Sequence, residues 1–449
     1  MSQENKLKRE LGLIPATAIV VGNMIGSGIF AAPQGLAAAS TPLWTMVAWT
    51  ITGIGSLLIA LSFANLGTKF PETGGPVVYT RKAFGETTAF MVSFTFWIGL
   101  WVGNAAIIVT LTRYLSELFP VFYQSPLASF LAQTVMLWLF TWINIRGVKG
   151  TGKVSEYTLY IKFIALGLFI IVGLMGFNSA NLSTVSESAS ALENGGRGLI
   201  STLPVAIGIT LWSFIGIESA AVAGGEVANP EKNIRRSTMY GTIITLVIYM
   251  LISFVAMGAM SQQDLSSQAA PMATILNNIL GTNLGGRFFA LCIVLGGVGS
   301  GAGWVLSTGR TGFSMAEDGY LPKSFAKVNP KTGVPVNSLI LASILTNVMF
   351  LLSFIGLTEA FDFLIAIASL TMMPAYIFTC FADMKLLRQM DGRLGVGRFI
   401  AKMFVPLLAT IYILYVIYAV GAEYAMYTFL LLLAGIPVYI YTKMQNRPT

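Results

Sequence analysis

The sequence predicts an all-α membrane protein of twelve transmembrane helices, on three observations. Hydrophobic residues make up 55% of the 449 positions and charged residues only 10%, at a mean hydropathy of +0.74, which leaves too little polar side chain to coat soluble domains. Twelve runs approach the roughly 20 mostly apolar residues that cross a hydrocarbon core. The 27 Lys and Arg residues collect in alternate connections, as cytoplasmic loops do.

The runs fall at about 13–37, 43–66, 87–118, 127–145, 156–177, 199–224, 238–260, 286–312, 337–356, 360–381, 400–420 and 423–442. The first follows Lys6, Lys8 and Arg9, as a signal peptide would, but it is too long for one and eleven more follow. Lys69, Arg81 and Lys82 come between the second and third runs, Arg146, Lys149 and Lys153 after the fourth, and Lys232, Arg235 and Arg236 after the sixth. Arg310, Lys323, Lys327 and Lys331 mark the end of the eighth; Lys385, Arg388, Arg393, Arg398 and Lys402 fall around the gap between tenth and eleventh; Lys443 and Arg447 close the chain. The exceptions are Lys162 inside the fifth run, Arg113 near the outer end of the third, and Arg197 and Arg287 outside. A multi-pass protein of the cell membrane with both termini cytoplasmic follows. The net charge of +8 is then a topology signal and a contact with anionic lipid, the bilayer being the partner and nucleic acid not.

Several chemistries are excluded. The two cysteines, Cys292 and Cys380, lie inside predicted spans as small buried hydrophobes, without metal spacing or a disulfide framework. Histidine is absent, so proton chemistry near neutral pH would need carboxylates or lysines. Neither a nucleophile-base pair nor a phosphate loop nor a cofactor fingerprint is present, so the chain reads as neither an enzyme nor a cofactor protein.

The most informative features are two interruptions, Gly26-Ser27-Gly28 in the first run and Ser213-Phe214-Ile215-Gly216 in the sixth. A helix break in lipid frees backbone groups at several kcal/mol each unless the backbone lines a cavity or a ligand replaces its partners. The breaks occupy corresponding places in successive five-helix blocks, the pattern of an inverted repeat with its site at the bilayer midplane. On this division, residues 1–10 form a cytoplasmic tail, 11–180 the first repeat, 195–382 the second, and 398–442 two added helices of a single domain. Gly26 and Gly28 permit a turn that aims backbone N–H groups at one spot, at a half-helix N-terminus that favours a carboxylate. Carbonyls freed around Trp212 and Ile215 would attract an ammonium. Trp212 and Trp304 would be aromatic walls. Close helix packing is the competing explanation for the glycines, and a lipid-facing position the competing one for the tryptophans.

The runs Gly22-Asn23-Met24-Ile25-Gly26-Ser27-Gly28-Ile29-Phe30, Phe70-Pro71-Glu72-Thr73-Gly74-Gly75-Pro76 leading to Tyr79, and Leu211-Trp212-Ser213-Phe214-Ile215-Gly216-Ile217-Glu218-Ser219-Ala220 with Asn229-Pro230 carry a family resemblance. Gly303-Trp304 and Glu317-Asp318-Gly319-Tyr320-Leu321-Pro322 continue it. Across nearly the whole chain the sequence resembles the amino acid-polyamine-organocation superfamily, most closely the basic amino acid/polyamine antiporters of the arginine/agmatine type. The resemblance implies the leucine-transporter fold, a 5+5 inverted repeat with broken helices 1 and 6, and alternating access. It implies that the Met24 carbonyl contacts substrate, that Ser27 and Gly28 receive the carboxylate, and that Asn104 contacts the substrate side chain; an interhelical hydrogen bond is the alternative for Asn104. Phe96 stands where the family has an aromatic gate, and Glu218 where a glutamate is tied to gating. Lys162 matches the helix-5 lysine of proton-coupled permeases and L-type exchangers, where an ammonium stands in for sodium; a snorkelling lysine is its alternative. By the same comparison Leu100 and Ile365 replace polar contacts to a guanidinium, so the distal pocket is greasier and a neutral, aromatic or single-amine substrate gains ground over arginine.

The sequence thus predicts a secondary transporter that exchanges an α-amino acid for a related amino acid or amine. Proton-coupled uptake of neutral amino acids is the alternative within transport, and a non-transporting sensor the alternative outside it. The partners are a small amino acid or amine and, in the alternative, protons; a homodimer is left open.

Overall fold

The computed structural model describes residues 9–182, 199–268, 270–354, 360–392 and 395–445. Lys6, Lys8, Arg197, Arg393 and Arg447 of the charge pattern lie outside the described residues, as do the first part of the expected tail and the join of the two expected repeats. The described chain is nearly all helical, with two isolated β-bridges and no longer strand. Among the described residues ten helical segments, Leu13–Ala39 taken as one, are long and apolar enough to cross a membrane, and two shorter apolar helices span Thr202–Phe214 and Val336–Leu351.

The first run forms two helices, α1 (Leu13–Met24) and α2 (Ser27–Ala39). Ile25 has φ −75° and ψ 63°, and the Gly26 N–H donates to the Met24 carbonyl at 2.7 Å, an inverse γ-turn that redirects the chain within two residues. Then come α3 (Pro42–Lys69), α4 (Pro76–Phe84), α5 (Glu86–Leu118), α6 (Pro126–Ile145) and α7 (Val148–Met175). The sixth run breaks as well. Helix α8 (Leu199–Phe214) stops, Gly216 turns the chain at φ +122°, and one short helix, α9 (Ser219–Val222), precedes α10 (Pro230–Ala259). The longer helices that follow are α11 (Pro271–Leu280), α12 (Asn283–Glu317), α13 (Val336–Phe354), α14 (Ala360–Asp391), α15 (Val396–Val420) and α16 (Ala422–Gln445).

Helices extend past the apolar windows where capping chemistry allows. Helix α10 begins at Pro230 rather than 238, because a proline needs no N–H in the first turn and Glu231 suits the positive end of the helix. Helix α12 runs to Glu317, so Arg310 is not a loop charge: it is fully buried inside the helix, a correction to its place in the charge pattern. Sequence reading passed over α4 and α11, both of which carry proline in the first turn and a positive-φ glycine, Gly85 or Gly281, after the last.

Helices α5 and α12, with α1 and α2, are mostly buried and form the core, whereas α6 and α16 are mostly exposed at the periphery. Glycine makes the close approaches possible: a Cβ at Gly296 would lie 2.5 Å from Lys162 Cγ, and one at Gly303 would lie 2.1 Å from Asn23 Oδ1. Helix α1 is thereby pressed against α12 at its break.

Candidate functional site

The break in the first run meets the break in the sixth. An added Cβ at Gly28 would lie 2.6 Å from Ser213 Cα, and one at Gly216 would lie 3.1 Å from the Met24 nitrogen, so at both points only glycine permits the contact. Helix α2 starts at Ser27, and the first N–H groups of any helix have no intrahelical acceptor. They gather beside the end of α8, where the carbonyls of the last turn lack the usual helix donors and that of Trp212 accepts the Ile215 N–H at 3.3 Å instead. Side chains bind the two turns together. Trp212 Nε1 donates to Ser27 Oγ at 2.9 Å, Trp304 Nε1 to the Asn23 carbonyl at 3.0 Å, and Asn23 Nδ2 to Ser219 Oγ at 2.7 Å. The Tyr249 hydroxyl reaches the carbonyls of Met24 and, at 2.8 Å, Ser213.

The two tryptophans of the sequence reading face each other, their ring centroids 5.8 Å apart and tilted by 45°. Both press on α5 at Gly103, where a Cβ would lie 2.6 Å from Trp304 and 3.0 Å from Trp212. One residue on, Asn104 is buried and its Oδ1 has no protein partner. Phe96 and Leu100 are buried in the core on the same helix.

Lys162 does not snorkel. It is 1% exposed, and its ammonium donates to the carbonyls of Gly22 at 3.0 Å and Ile25 at 2.7 Å, and to the Ser300 hydroxyl. Lys162 Nζ thus sits at the carbonyl end of α1, where the helix field favours a cation. Glu218 lies beyond the other break, its Oε2 accepting from the Tyr376 hydroxyl at 2.6 Å and the Gly216 N–H at 3.1 Å.

A cavity of about 530 Å³ reaches Gly28 and Trp212, with Ile209, Ile365 and Ser369 on its walls. Of the sequence-predicted contact residues, these first two border the open space; Met24, Gly26, Ser27, Asn104, Ile215 and Trp304 are buried and do not. Arg113 lines this cavity and a neighbouring one of about 690 Å³, as does Gln34. Ser213 Oγ and Ser369 Oγ join Asn104 Oδ1 as buried polar atoms without a protein partner. Sequence reading missed Asn23, Gly103, Tyr249, Ser300 and Tyr376. The signal for Tyr249 and Ser300 was present as isolated hydroxyls in apolar runs, although nothing in the sequence distinguishes a break-binding hydroxyl from an ordinary interhelical one.

Residues 11–440 match the amino acid permease family. The putative arginine/ornithine antiporter of Bacillus subtilis (strain 168) is 31% identical over 397 residues, covering 82% of this chain and 83% of the relative. The arginine/ornithine antiporter of Latilactobacillus sakei is 28% identical over 449 residues, 99% and 92% of the two chains. The cadaverine/lysine antiporter of Escherichia coli (strain K12) is 30% identical over 382 residues, 83% and 82%. These are transporters rather than enzymes, and with a match over almost its whole length the chain belongs to the amino acid permease family, among relatives that are basic amino acid and polyamine antiporters.

Proposed function

We propose that this protein exchanges an α-amino acid for a related amino acid or amine by alternating access, with twelve spans in the leucine-transporter arrangement and both termini cytoplasmic. The observation that carries the reading is the meeting of the two helix breaks: the start of α2 approaches the end of α8 where Gly28 meets Ser213, and Gly28 and Trp212 line one cavity. That pairing suits a group bearing a carboxylate and an ammonium on one carbon. Ser27 and Gly28 take the carboxylate. The carbonyls around Trp212 and Ile215 take the ammonium, and the side chain extends along Trp212 towards Ile365, with Asn104 and Ser369 as hydrogen-bonding partners.

Lys162 has a fixed part in this arrangement. Its ammonium neutralises the carbonyl end of α1, so that the break keeps its shape whether or not substrate is present. Glu218, Tyr376 and Phe96 belong to the closing of the site rather than to recognition. Exchange over net uptake is supported by the antiporter relatives, while the apolar wall around Ile209 and Ile365 supports a neutral or single-amine side chain over a guanidinium.

Purified protein in liposomes tests the reading. Vesicles preloaded with each amino acid or amine are compared with empty ones for labelled uptake at several pH values. Exchange gives uptake that depends on an internal substrate. Uptake driven into empty vesicles by a pH gradient would replace exchange with proton symport, and tight binding without flux in any condition would replace transport with sensing.

A further inference from the structure

At the end of the molecule that carries Leu11, the 3-10 turn Gly224–Glu226 after α9 makes an ion pair that the proposed function does not use. Glu226 and Arg310 are both 0% exposed. Two guanidinium nitrogens meet two carboxylate oxygens, Nε to Oε2 at 2.8 Å and Nη2 to Oε1 at 2.6 Å, and Nη1 has no protein partner. We propose that this pair is the latch of an end gate: it holds residues 217–228 against α12 while the cavity at the breaks is open, and it parts when the gate opens. The proposal rests on the alternating-access reading.

Three features of the segment support it. First, its two ends are suited to turning, because Gly216 has φ +122° and Asn229 has φ +46°, the only positive value at a non-glycine among the described residues. Residues at such positions can absorb the dihedral change of a moving piece. Second, the segment between them is tied to several elements by single bonds. Asn23 of α1 donates to Ser219, the Gly74 N–H donates to the Val222 carbonyl at 2.9 Å, and Leu11 forms an isolated parallel bridge with Val227, its N–H donating to the Glu226 carbonyl at 2.9 Å and its carbonyl accepting from Ala228 at 2.8 Å. Each is a neutral hydrogen bond with a modest net contribution. Glu218, within the same segment, also accepts a hydrogen bond from the Tyr376 hydroxyl of α14 at 2.6 Å, and the pair to α12 is the one salt bridge among these ties.

Third, a buried ion pair is a poor choice for static stability, because well-packed apolar residues of similar volume serve as well or better. It is a good choice for a surface that alternates between dry and wet. While paired, each charge satisfies the other; once the end opens, each is hydrated, and the states between, with one charge stranded in a dry interior, are disfavoured. Two discrete arrangements result. Arg310 also lies six residues beyond Trp304 on α12, about 9 Å further along the helix axis. The latch and the aromatic wall therefore sit on one rigid element.

The test reads accessibility in the full-length protein. Val222→Cys places a thiol at a fully buried position of the segment, and its reaction with a water-soluble maleimide reports opening against the background of buried Cys292 and Cys380. Glu226→Gln and Arg310→Met should each raise the labelling rate at least about tenfold. The swap Glu226→Arg with Arg310→Glu should return it towards the parent rate. Folded single variants that label at the parent rate overturn the latch, as does a folded swap that labels as fast as the single variants. If the single variants do not fold, a second measurement leaves the ion pair intact: Leu11→Cys with Val227→Cys is oxidised across the neighbouring bridge. Crosslinking should stop exchange and reductant should restore it, whereas undiminished exchange with the crosslink formed overturns the gate. Absence of exchange in the reduced protein would count against the transport reading, and the labelling experiment would still decide the latch.

Discussion

Replacing Gly28 with alanine is the sharpest test of the site, because the same substitution at Gly22 supplies a matched control. Neither residue has a positive φ, so alanine is conformationally acceptable at both and only space differs. At Gly22 an added Cβ meets nothing within 4 Å. At Gly28 it would lie 2.5 Å from Ser213 Oγ, 2.6 Å from Ser213 Cα and 2.9 Å from Ser213 Cβ. The hydroxyl could rotate away, but the Cα belongs to the backbone at the end of α8 and cannot. Carbon atoms pack at about 3.5–4.0 Å, so α2 and α8 must separate by roughly 1 Å. Such overpacking costs about 1–3 kcal/mol of stability. The functional loss should exceed the stability loss, because a 1 Å displacement of groups that must act together costs on the order of 100-fold. Gly22→Ala should instead be neutral or add about 0.4–1 kcal/mol through the unfolded chain. Counterflow exchange in liposomes at equal insertion, paired with thermal unfolding in detergent, separates the two effects. If Gly28→Ala exchanges within about twofold of wild type while Gly22→Ala does too, the breaks do not meet at a substrate site and the reasoning fails.

Lys162→Met removes three donated hydrogen bonds and leaves the Gly22 and Ile25 carbonyls sharing the single hydroxyl proton of Ser300, so about 1–3 kcal/mol of stability should be lost for the carbonyl left unpaired. Unchanged thermal unfolding would mean that the ammonium does not hold the break. For a cationic substrate, Trp304→Leu should weaken binding by up to about 2 kcal/mol and Trp304→Phe by less; equal losses in a calorimetric titration would mark the indole as packing alone. Outside the spans, burial pushes the Asp318 carboxyl from 3.8 up to about 6, against the opposing Arg81 guanidinium. The folded state therefore binds this proton more tightly than the unfolded chain, and the contribution falls as pH rises through about 4 to 6. Asp318→Asn should remove that decline, and a variant whose unfolding temperature follows pH just as wild type does would show that another group titrates.

The helices and breaks were legible in the sequence because each depends on local cost. A run such as 43–66 is apolar throughout, and transferring it to hydrocarbon is favourable whatever its neighbours. Gly26 and Gly28 could be read as a break because they flank a serine in the first run and have a counterpart in the sixth, which close helix packing alone explains less well. The short helices α4 and α11 were equally local, signalled by Pro76 with Gly85 and Pro271 with Gly281, and they escaped only because their composition is too polar or their length too short for a span.

The partners at the breaks were not legible, for a different physical reason. Hydropathy assigns each side chain a transfer cost as though it entered the membrane alone, so Lys162 and Arg310 look alike, two cations within or at the edge of apolar runs. Their fates are opposite in kind: Lys162 is satisfied by the backbone of a break 137 residues away, and Arg310 by a carboxylate 84 residues away. Neither distance has a period or a motif. What makes both burials tolerable is a broken helix, because an unbroken one would offer Lys162 no unclaimed carbonyl and would carry Glu226 past Arg310 on a rigid rod. On the proposed reading the breaks create the substrate site, and by the same freed backbone and turned chain they create the places where charge can be held inside the protein. A substitution that heals either break should therefore release a buried charge as well as close the site.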